Sequence, residues 1–243
     1  MREKEVKIDP EWAKAKILYH TYDEFEVKTL LISLRDKHRV LNTREGFKEV
    51  DFLVNHYNPR ELWDRMHGNY DEFEKWPPAA LGIPPERLAM LTTAADMDNL
   101  ALCESNYQEL KVCCLATAGV KNNAQRMGSD EAGAVERNGR FDSLPGTINI
   151  ILLANAALSD GAMARAIITV TEAKTAALQD LNIRSSYTPH NQATGTGTDN
   201  IIVVSGKGSP ATYTGGHAKI GELIGKAAKA AVLEAIGKQD RII

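Results

Sequence analysis

Charged and aromatic residues are concentrated in the first third of this 243-residue chain. Residues 1–90 hold 32 of the 61 charged side chains, 11 of the 15 aromatic residues and only three of the 18 glycines. Because glycine permits sharp bends and close backbone approach, we expect the later part to carry the tight loops of a site. The distribution predicts one domain over residues 1–243, with a charged, aromatic-rich scaffold at 1–87 and a glycine-rich, site-bearing part at 88–236.

Composition excludes several classes of protein. The net charge of −3 and the 43% of hydrophobic residues are ordinary for a globular chain, and interspersed charges give no broad basic surface for nucleic acid. A membrane span needs about 20 consecutive apolar residues. The most apolar stretch, Ile148 to Leu158, is interrupted by Asn149 and Asn155. The first ten residues hold no apolar run that resembles a secretory signal, so we expect a cytoplasmic protein without a membrane partner.

Apolar periodicity and turn residues predict a central, mostly buried β-sheet with flanking helices. Strands are predicted at 27–34, 50–54, 88–92, 112–116, 147–154 and 201–204, and helices at 58–65, 71–75, 162–181 and 217–236. The Pro- and Gly-containing stretch 76–85 is typical of a turn-rich connector. This pattern favours the α/β or α+β class and a single compact domain.

The strongest local motif is the glycine- and threonine-rich segment 193–200, which runs directly into the strand at 201–204. A nucleotide-binding loop places its glycines between a strand and a following helix, so the reversed order here excludes that interpretation. The segment can present backbone N–H groups and the side chains of Thr196, Thr198 and Asp199 to a carbonyl group or an oxyanion. A tight turn without a ligand explains the same residues equally well.

The helix at 162–181 is apolar around most of its circumference and carries one polar stripe. The stripe consists of Arg165, Thr169, Glu172, Thr175 and Gln179. If it faced a cleft, burial would raise the pKa of Glu172 and suit this residue to general acid or base catalysis. A solvated helix face is the commoner explanation.

Other polar residues lie where strands or helices end or begin. Asp96 and Asp98 follow one predicted strand, residues 117–123 follow another, and Asp160 lies at a helix start. Ligands often bind at strand ends, although Asp and Asn also form plain turns. His217 lies near a helix N-terminus, where the neutral imidazole is favoured and could accept a proton; an exposed or capping histidine is equally common. The cysteines at 103, 113 and 114 are best explained as buried thiols.

Seven segments, taken in order, resemble the adenosylcobinamide amidohydrolase family (CbiZ), which serves corrinoid salvage in archaea and some bacteria. They lie at 91–97, 116–120, 146–152, 158–163, 171–174, 193–199 and 214–217. The resemblance covers roughly residues 88–230, and the segment 40–46 departs from the family pattern. It implies a hydrolase that cleaves the amide between adenosylcobyric acid and the aminopropanol arm of adenosylcobinamide.

The resemblance also assigns expected roles to the polar residues. The corrinoid is the substrate, no cofactor is predicted with certainty, and the requirement for a metal and assembly into a homo-oligomer are left open. An activated water would attack the amide with Glu172 or Asp199 as its base and His217 as proton shuttle. Six residues are expected to bind the substrate: Asp96, Thr117, Asn149, Asp160, Thr196 and Thr198. The spacing of Asp96, Asp160, Asp199 and His217 does not support a metal site formed from them.

Two other functions are compatible with the sequence. The chain could be a corrinoid binder or carrier without catalytic activity. It could also be a self-processing hydrolase that is cut between Gly146 and Thr147 and uses Thr147 as an N-terminal nucleophile.

Overall fold

A computed structural model describes residues 2–66, 73–132 and 147–242, except for the side chains of Asp64 and Met66. Its longer strands are β1 (Arg2–Val6), β2 (Ala13–Tyr22), β3 (Phe25–Asn42), β4 (Gly46–Tyr57), β5 (Leu88–Thr93), β6 (Ala101–Tyr107), β7 (Leu110–Ala118), β9 (Ile148–Ala154) and β12 (Asn200–Val204). Two-residue strands are β8 (Ala124–Gln125), β10 (Ala157–Leu158), β11 (Gly195–Thr196) and β13 (Pro210–Ala211). The helices are α1 (Arg60–Met66), α2 (Trp76–Leu81), α3 (Asp160–Asp180) and α4 (Lys219–Asp240).

One large sheet unites the early and late parts of the chain. Its strand order is β1-β2-β3-β12-β9-β7-β6, while β4 pairs with the other edge of β3 and β5 pairs with β4. The β4–β5 and β9–β12 pairs are parallel, and the other pairs of this sheet are antiparallel. The 18-residue β3 reaches β2 through its first half and β12 through its last three residues. The sheet thereby joins the scaffold part to the glycine-rich part.

The middle of the sheet is buried on both faces. Helices α3 and α4 pack on one face, against residues such as Cys114, Ile150 and Val203. The opposite face of the same strands packs against the curled β2–β5 portion, as the cluster containing Leu30, Leu115 and Ile151 shows. All seven residues of β9 are buried. A strand covered on both faces needs a nearly continuous apolar sequence, and in β9 only Asn149 is polar.

The mixed α/β class, the central sheet and the single domain predicted from the sequence are confirmed. Ser159 caps α3 as expected, since its hydroxyl oxygen accepts a hydrogen bond from the Ala162 N–H at 3.2 Å. The connector at 76–85 is predicted wrongly in part, because residues 76–81 form the short helix α2 with prolines in its first turn, where their missing N–H groups cost nothing. Residues 71–72 of the helix predicted at 71–75 lie outside the described residues.

The segment that precedes α4 connects the two long helices. The Thr214 hydroxyl donates to the Ala162 carbonyl in the first turn of α3 at 2.6 Å, and Thr169 donates to the Thr214 carbonyl at 2.9 Å. Thr169 is therefore buried, although it was predicted on the polar stripe of the helix. Among the described helices, none combines the length and hydropathy that crossing a membrane requires.

Candidate active site

Most of the predicted site residues meet at one end of the sheet, where β9 and β12 begin and where β5 and β7 end. Asn149 lies next to Thr117 across the β7–β9 pair and next to Asn200 across the β9–β12 pair. Thr196 and Asp199 lie in the turn that enters β12. Because β5 crosses this corner of the curled sheet, its carboxyl end reaches the same region. We call this region the threonine end, after Thr92, Thr117, Thr147 and Thr196.

Asp199 is the most highly coordinated carboxylate at the threonine end. Its Oδ1 accepts hydrogen bonds from the Ile148 N–H at 3.0 Å and from the Thr196 hydroxyl at 2.5 Å. Its Oδ2 accepts from the Thr196 N–H at 3.0 Å and from the Lys174 ammonium. Four donors therefore face this one carboxylate. The turn that enters β12 is thus bound to the start of β9 and to α3.

Lys174 is a functional candidate that the sequence reasoning missed. It lies in the third quarter of α3 on the buried face, and its side chain is only 9% exposed, beside an Asp199 side chain that is 13% exposed. A buried lysine is uncommon unless it is paired, and burying two charges costs several kcal/mol before their attraction is counted. The available signal was the segment 171–174, since Lys174 follows Ala173 and lies four positions after Val170 and three before Ala177, all on the buried face of the helix.

Glycine at position 195 allows the charged pair to approach the backbone. A Cβ atom placed at Gly195 would lie 2.5 Å from the Lys174 Nζ and would also overlap Asp199. The segment Gly195–Thr196 pairs with β8 as a short antiparallel ladder. Gly195 therefore leaves room for the side chains of Lys174 and Asp199, which differs from the role of a phosphate-binding glycine.

A cleft of about 240 Å³ opens beside this pair. Its walls are formed by Gln125, Met127, Thr171, Lys174, Thr175, Thr194, Gly195 and Thr196. Met127 is 71% exposed at the rim. The cleft is smaller than the roughly 300–1,000 Å³ of sites that enclose an entire ligand, so it suits one arm of a large molecule. A second depression, beside Asp9 and Cys113, has only about 10 Å³, space for about one water molecule.

A buried network of side-chain amides and hydroxyls connects the strands at the threonine end. Asn149 donates to the Asn55 side-chain oxygen at 2.9 Å and to the Thr92 carbonyl at 2.8 Å. Asn55 in turn donates to the Thr117 hydroxyl at 2.9 Å. These bonds tie β4, β5, β7 and β9 together, with the side chains of Asn55, Thr117 and Asn149 buried. The geometry gives Thr117 and Asn149 a structural role here, and the substrate contacts expected of them stay a prediction.

Asp96 lies beyond the end of β5, in a separate ionic cluster. The buried Lys28 ammonium donates to the two oxygens of Asp96 at 2.7 and 2.8 Å and to Asp98 at 2.7 Å. Tyr19 donates its hydroxyl to Asp98, and burial, with this hydrogen bond adding to it, raises the pKa of Tyr19 to about 12. Both carboxylates already have a cationic partner, so this cluster is a closed ion-pair network.

The three residues predicted as catalytic are not brought together. Lys174, the ion-pair partner of Asp199, lies twelve residues after Ala162. This separation corresponds to about 18 Å along α3. His217 is exposed and follows Thr214, which is bound at Ala162 near the opposite end of the helix. Glu172 is exposed on the outer side of α3. The single crevice expected for Glu172, Asp199 and His217 is therefore absent from the described residues, and the separate role of each stays a prediction.

Asp160 also lies away from the threonine end. It is the first residue of α3 and forms a two-bond ion pair with Arg39, at 2.7 and 2.8 Å. This pairing lowers the pKa of Asp160. Within the described ranges, no group of three or more His, Cys, Asp or Glu side chains could hold a metal ion, so the four-residue set of Asp96, Asp160, Asp199 and His217 does not assemble.

Thr147 lies at the threonine end, but its hydroxyl does not face a base. It donates to the Thr198 carbonyl at 2.5 Å and lies 3.4 Å from the Asn149 side-chain oxygen. The residue is buried, with 6% of its surface exposed. Gly146, on the other side of the bond predicted to be cut in a self-processing hydrolase, lies outside the described residues.

The fold and the threonine end define a mixed α/β protein with a buried lysine–aspartate–threonine set beside a small cleft. Comparison with known proteins gives the family. The family model for adenosylcobinamide amidohydrolase, CbiZ, matches residues 14–243. The chain therefore belongs to the adenosylcobinamide amidohydrolase family, as the seven motifs indicated.

Two curated proteins and one solved structure are similar to this chain. An uncharacterised protein of Methanocaldococcus jannaschii, MJ1613, is 49% identical over 256 aligned positions that cover all of this chain and 99% of that protein. An adenosylcobinamide amidohydrolase of Methanosarcina mazei is 29% identical over 182 positions, covering 74% of this chain and 76% of that protein. Among solved structures, the PH0078 protein of Pyrococcus horikoshii gives a TM-score of 0.44 at 12% identity, covering 93% of this chain and 83% of that one.

Proposed function

We propose that this protein hydrolyses the amide that joins adenosylcobyric acid to the aminopropanol arm of adenosylcobinamide, at the cleft beside Lys174, Asp199 and Thr196. Membership of an amidohydrolase family supports hydrolysis of an amide at the level of reaction class. The observation that carries the location is the buried Lys174–Asp199 pair, which opens onto the cleft. Its products would be adenosylcobyric acid and 1-aminopropan-2-ol.

The size and lining of the cleft suit one amide arm of a corrinoid. A volume of about 240 Å³ admits the aminopropanol arm while the wide macrocycle stays outside. Threonine hydroxyls and amide groups on the walls can bond a polar arm, and Met127 at the rim offers an apolar, adaptable surface to the face of the ring. We assign the corrin ring to the outside of the cleft, above Met127.

The charges at the site fit the chemistry of amide cleavage. The departing amine needs a proton, and the Lys174 ammonium is a cationic donor at the cleft wall. Asp199 holds Lys174 in place and is itself fixed by backbone N–H groups. This arrangement favours a positioning role for Asp199, in addition to any part as a base.

The test is an assay of the purified protein with adenosylcobinamide, in which both released 1-aminopropan-2-ol and adenosylcobyric acid are quantified. We expect stoichiometric release of both, and a fall of about 10²–10⁴-fold in kcat/KM for Lys174→Met. Lys207→Met is the control, because Lys207 forms a surface ion pair with Asp36 at 3.3 Å, away from the cleft lining. Binding of the corrinoid without release of amine would identify a carrier and refute the proposal.

A further inference from the structure

We propose that Thr196 is the nucleophile of this reaction and that hydrolysis passes through an ester between its hydroxyl and the corrinoid acid. The inference rests on the proposed function, because it concerns the same cleft and the same amide. It replaces direct attack by water, and the oxyanion-binding role expected for Thr196, with covalent catalysis in two steps.

Hydrogen bonding distinguishes Thr196 from three nearby threonines, Thr147, Thr175 and Thr194. Thr194 donates its hydroxyl proton to the Gln125 carbonyl at 3.3 Å. Thr175 donates its hydroxyl proton to the Thr194 carbonyl at 3.0 Å, and Thr147 donates to the Thr198 carbonyl. A peptide carbonyl is too weak a base to take a proton from an attacking hydroxyl. The Thr196 hydroxyl instead donates to the Asp199 carboxylate at 2.5 Å, the short distance typical of a charge-assisted bond.

The surroundings of Thr196 complete a nucleophile, base and cation arrangement. Its residue surface is 6% exposed, and what remains accessible contributes to the cleft wall. On the far side of Asp199, the Lys174 ammonium binds the second carboxylate oxygen. An adjacent base that is itself oriented by a third group is the arrangement that activates hydroxyl nucleophiles on unrelated folds.

The bonds and protons balance as follows. The Thr196 oxygen forms a bond to the amide carbon while its proton passes to Asp199. The C–N bond then breaks, its electron pair stays on nitrogen, and the amine takes a proton from the Lys174 ammonium, which regains one from Asp199. Water next attacks the ester carbon and gives a proton to Asp199. The bond between the ester carbon and the Thr196 oxygen breaks with its electron pair on that oxygen, Asp199 returns the proton to it, and the corrinoid acid is released.

The experiment follows amine release and acid formation separately, with hydroxylamine as a competing acceptor. An ester on the pathway gives one of two signatures. Either amine is released at a rate that hydroxylamine does not change while hydroxamate replaces the acid, or amine appears in a burst and acid-quenched protein carries the acyl mass on the peptide that contains position 196. Thr196→Ser should retain turnover within about 30-fold, whereas Thr196→Val should lose about 10³-fold or more.

Thr188→Val is the matched control, since Thr188 also donates its hydroxyl to a carboxylate, that of Asp130, but does not line the cleft. We expect it to keep turnover within about threefold of the unmodified protein, with a similar loss of stability to Thr196→Val. The inference is overturned if Thr196→Val keeps turnover within tenfold, or if the unmodified protein hydrolyses the amide with neither signature of an ester. If the unmodified protein releases no amine at all, the proposed function itself fails, and the two failures are thereby distinguished.

Discussion

At the scale of single residues, the central feature is Lys174, a lysine whose burial the helical pattern does not predict. Lys174 follows Glu172 by two positions, so the two side chains lie on different sides of α3, one buried and one exposed. The sequence identifies the segment 171–174 but not which of its polar residues faces inward. Lys174 faces inward because the turn before β12 places Asp199 beside it. This is a tertiary contact, which the local sequence does not specify.

Loss of the Lys174 charge should strongly destabilise the protein. Lys174→Met removes the cationic partner of Asp199 in a site where both side chains are mostly buried, and we expect a loss of about 3–5 kcal/mol in the free energy of unfolding. Lys207→Met, at an exposed ion pair, should change it by less than about 1 kcal/mol. Urea unfolding of both variants measures this difference, and equal effects would contradict the account of the buried pair.

A second residue-scale prediction concerns His56, which is fully buried on the outer face of β4. Its Nδ1 shares a hydrogen bond of 2.7 Å with Thr29, its Nε2 has no hydrogen-bond partner among the described residues, and Trp76 and Phe73 cover its ring. Burial lowers the pKa of His56 to about 3. The neighbouring His20 is partly buried, and burial lowers its pKa as well. Neither histidine was selected from the sequence, because no ligand spacing marks them.

The folded protein therefore resists protonation of His56, while the unfolded chain takes up a proton near pH 6.5. Between pH 6.5 and about 3 the unfolded state binds more protons, so stability should fall as the pH is lowered, by up to about 1.4 kcal/mol per pH unit from this group. Unfolding free energies measured at pH 7, 6 and 5 should decline less steeply for His56→Gln. The same slope in the unmodified protein and the variant would contradict the prediction.

At the scale of elements, the mostly apolar, buried strands could be predicted and the polar or exposed ones could not. Strand β9 is buried on both faces, so its sequence alone indicates it. Strand β1 has an exposed, charged sequence and forms only because β2 offers an edge to pair with. The direction in which the long β3 bends, after the irregular register between Ser33 and His38, is also a tertiary outcome.

Helix α4 provides an element-scale test, because its two early glycines have different surroundings. A Cβ at Gly221 would lie 2.5 Å from the Thr214 carbonyl oxygen, on backbone that is held against α3, whereas a Cβ at Gly225 would lie 3.9 Å from the Thr169 Cγ2. We expect Gly221→Ala to cost about 1–3 kcal/mol. Gly225→Ala should instead stabilise the helix by up to about 1 kcal/mol through its propensity. Thermal unfolding of both variants measures the two signs, and two shifts in the same direction would refute the close approach of α4 to the preceding segment.

At the scale of the whole molecule, the curled sheet decides which polar residues can act together. Sequence order places Thr92, Thr117, Asn149 and Asp199 far apart, yet the sheet brings the ends of their strands to one corner, where Asn149 bonds to the Thr92 carbonyl. The same topology sends the residues after β12 to the opposite end of α3, where His217 lies. Residue types and motifs were thus predictable, whereas their grouping needed the path of the chain.

The central claim is that amide hydrolysis takes place at the threonine end. The most direct measurement compares kcat/KM for release of 1-aminopropan-2-ol by Asp199→Asn and His217→Gln, each corrected for its folded fraction. The account predicts a loss of about 10²-fold or more for Asp199→Asn and a change of less than about threefold for His217→Gln. A large loss for His217→Gln with near-normal turnover in Asp199→Asn would place the chemistry at the other end of the molecule and contradict the account.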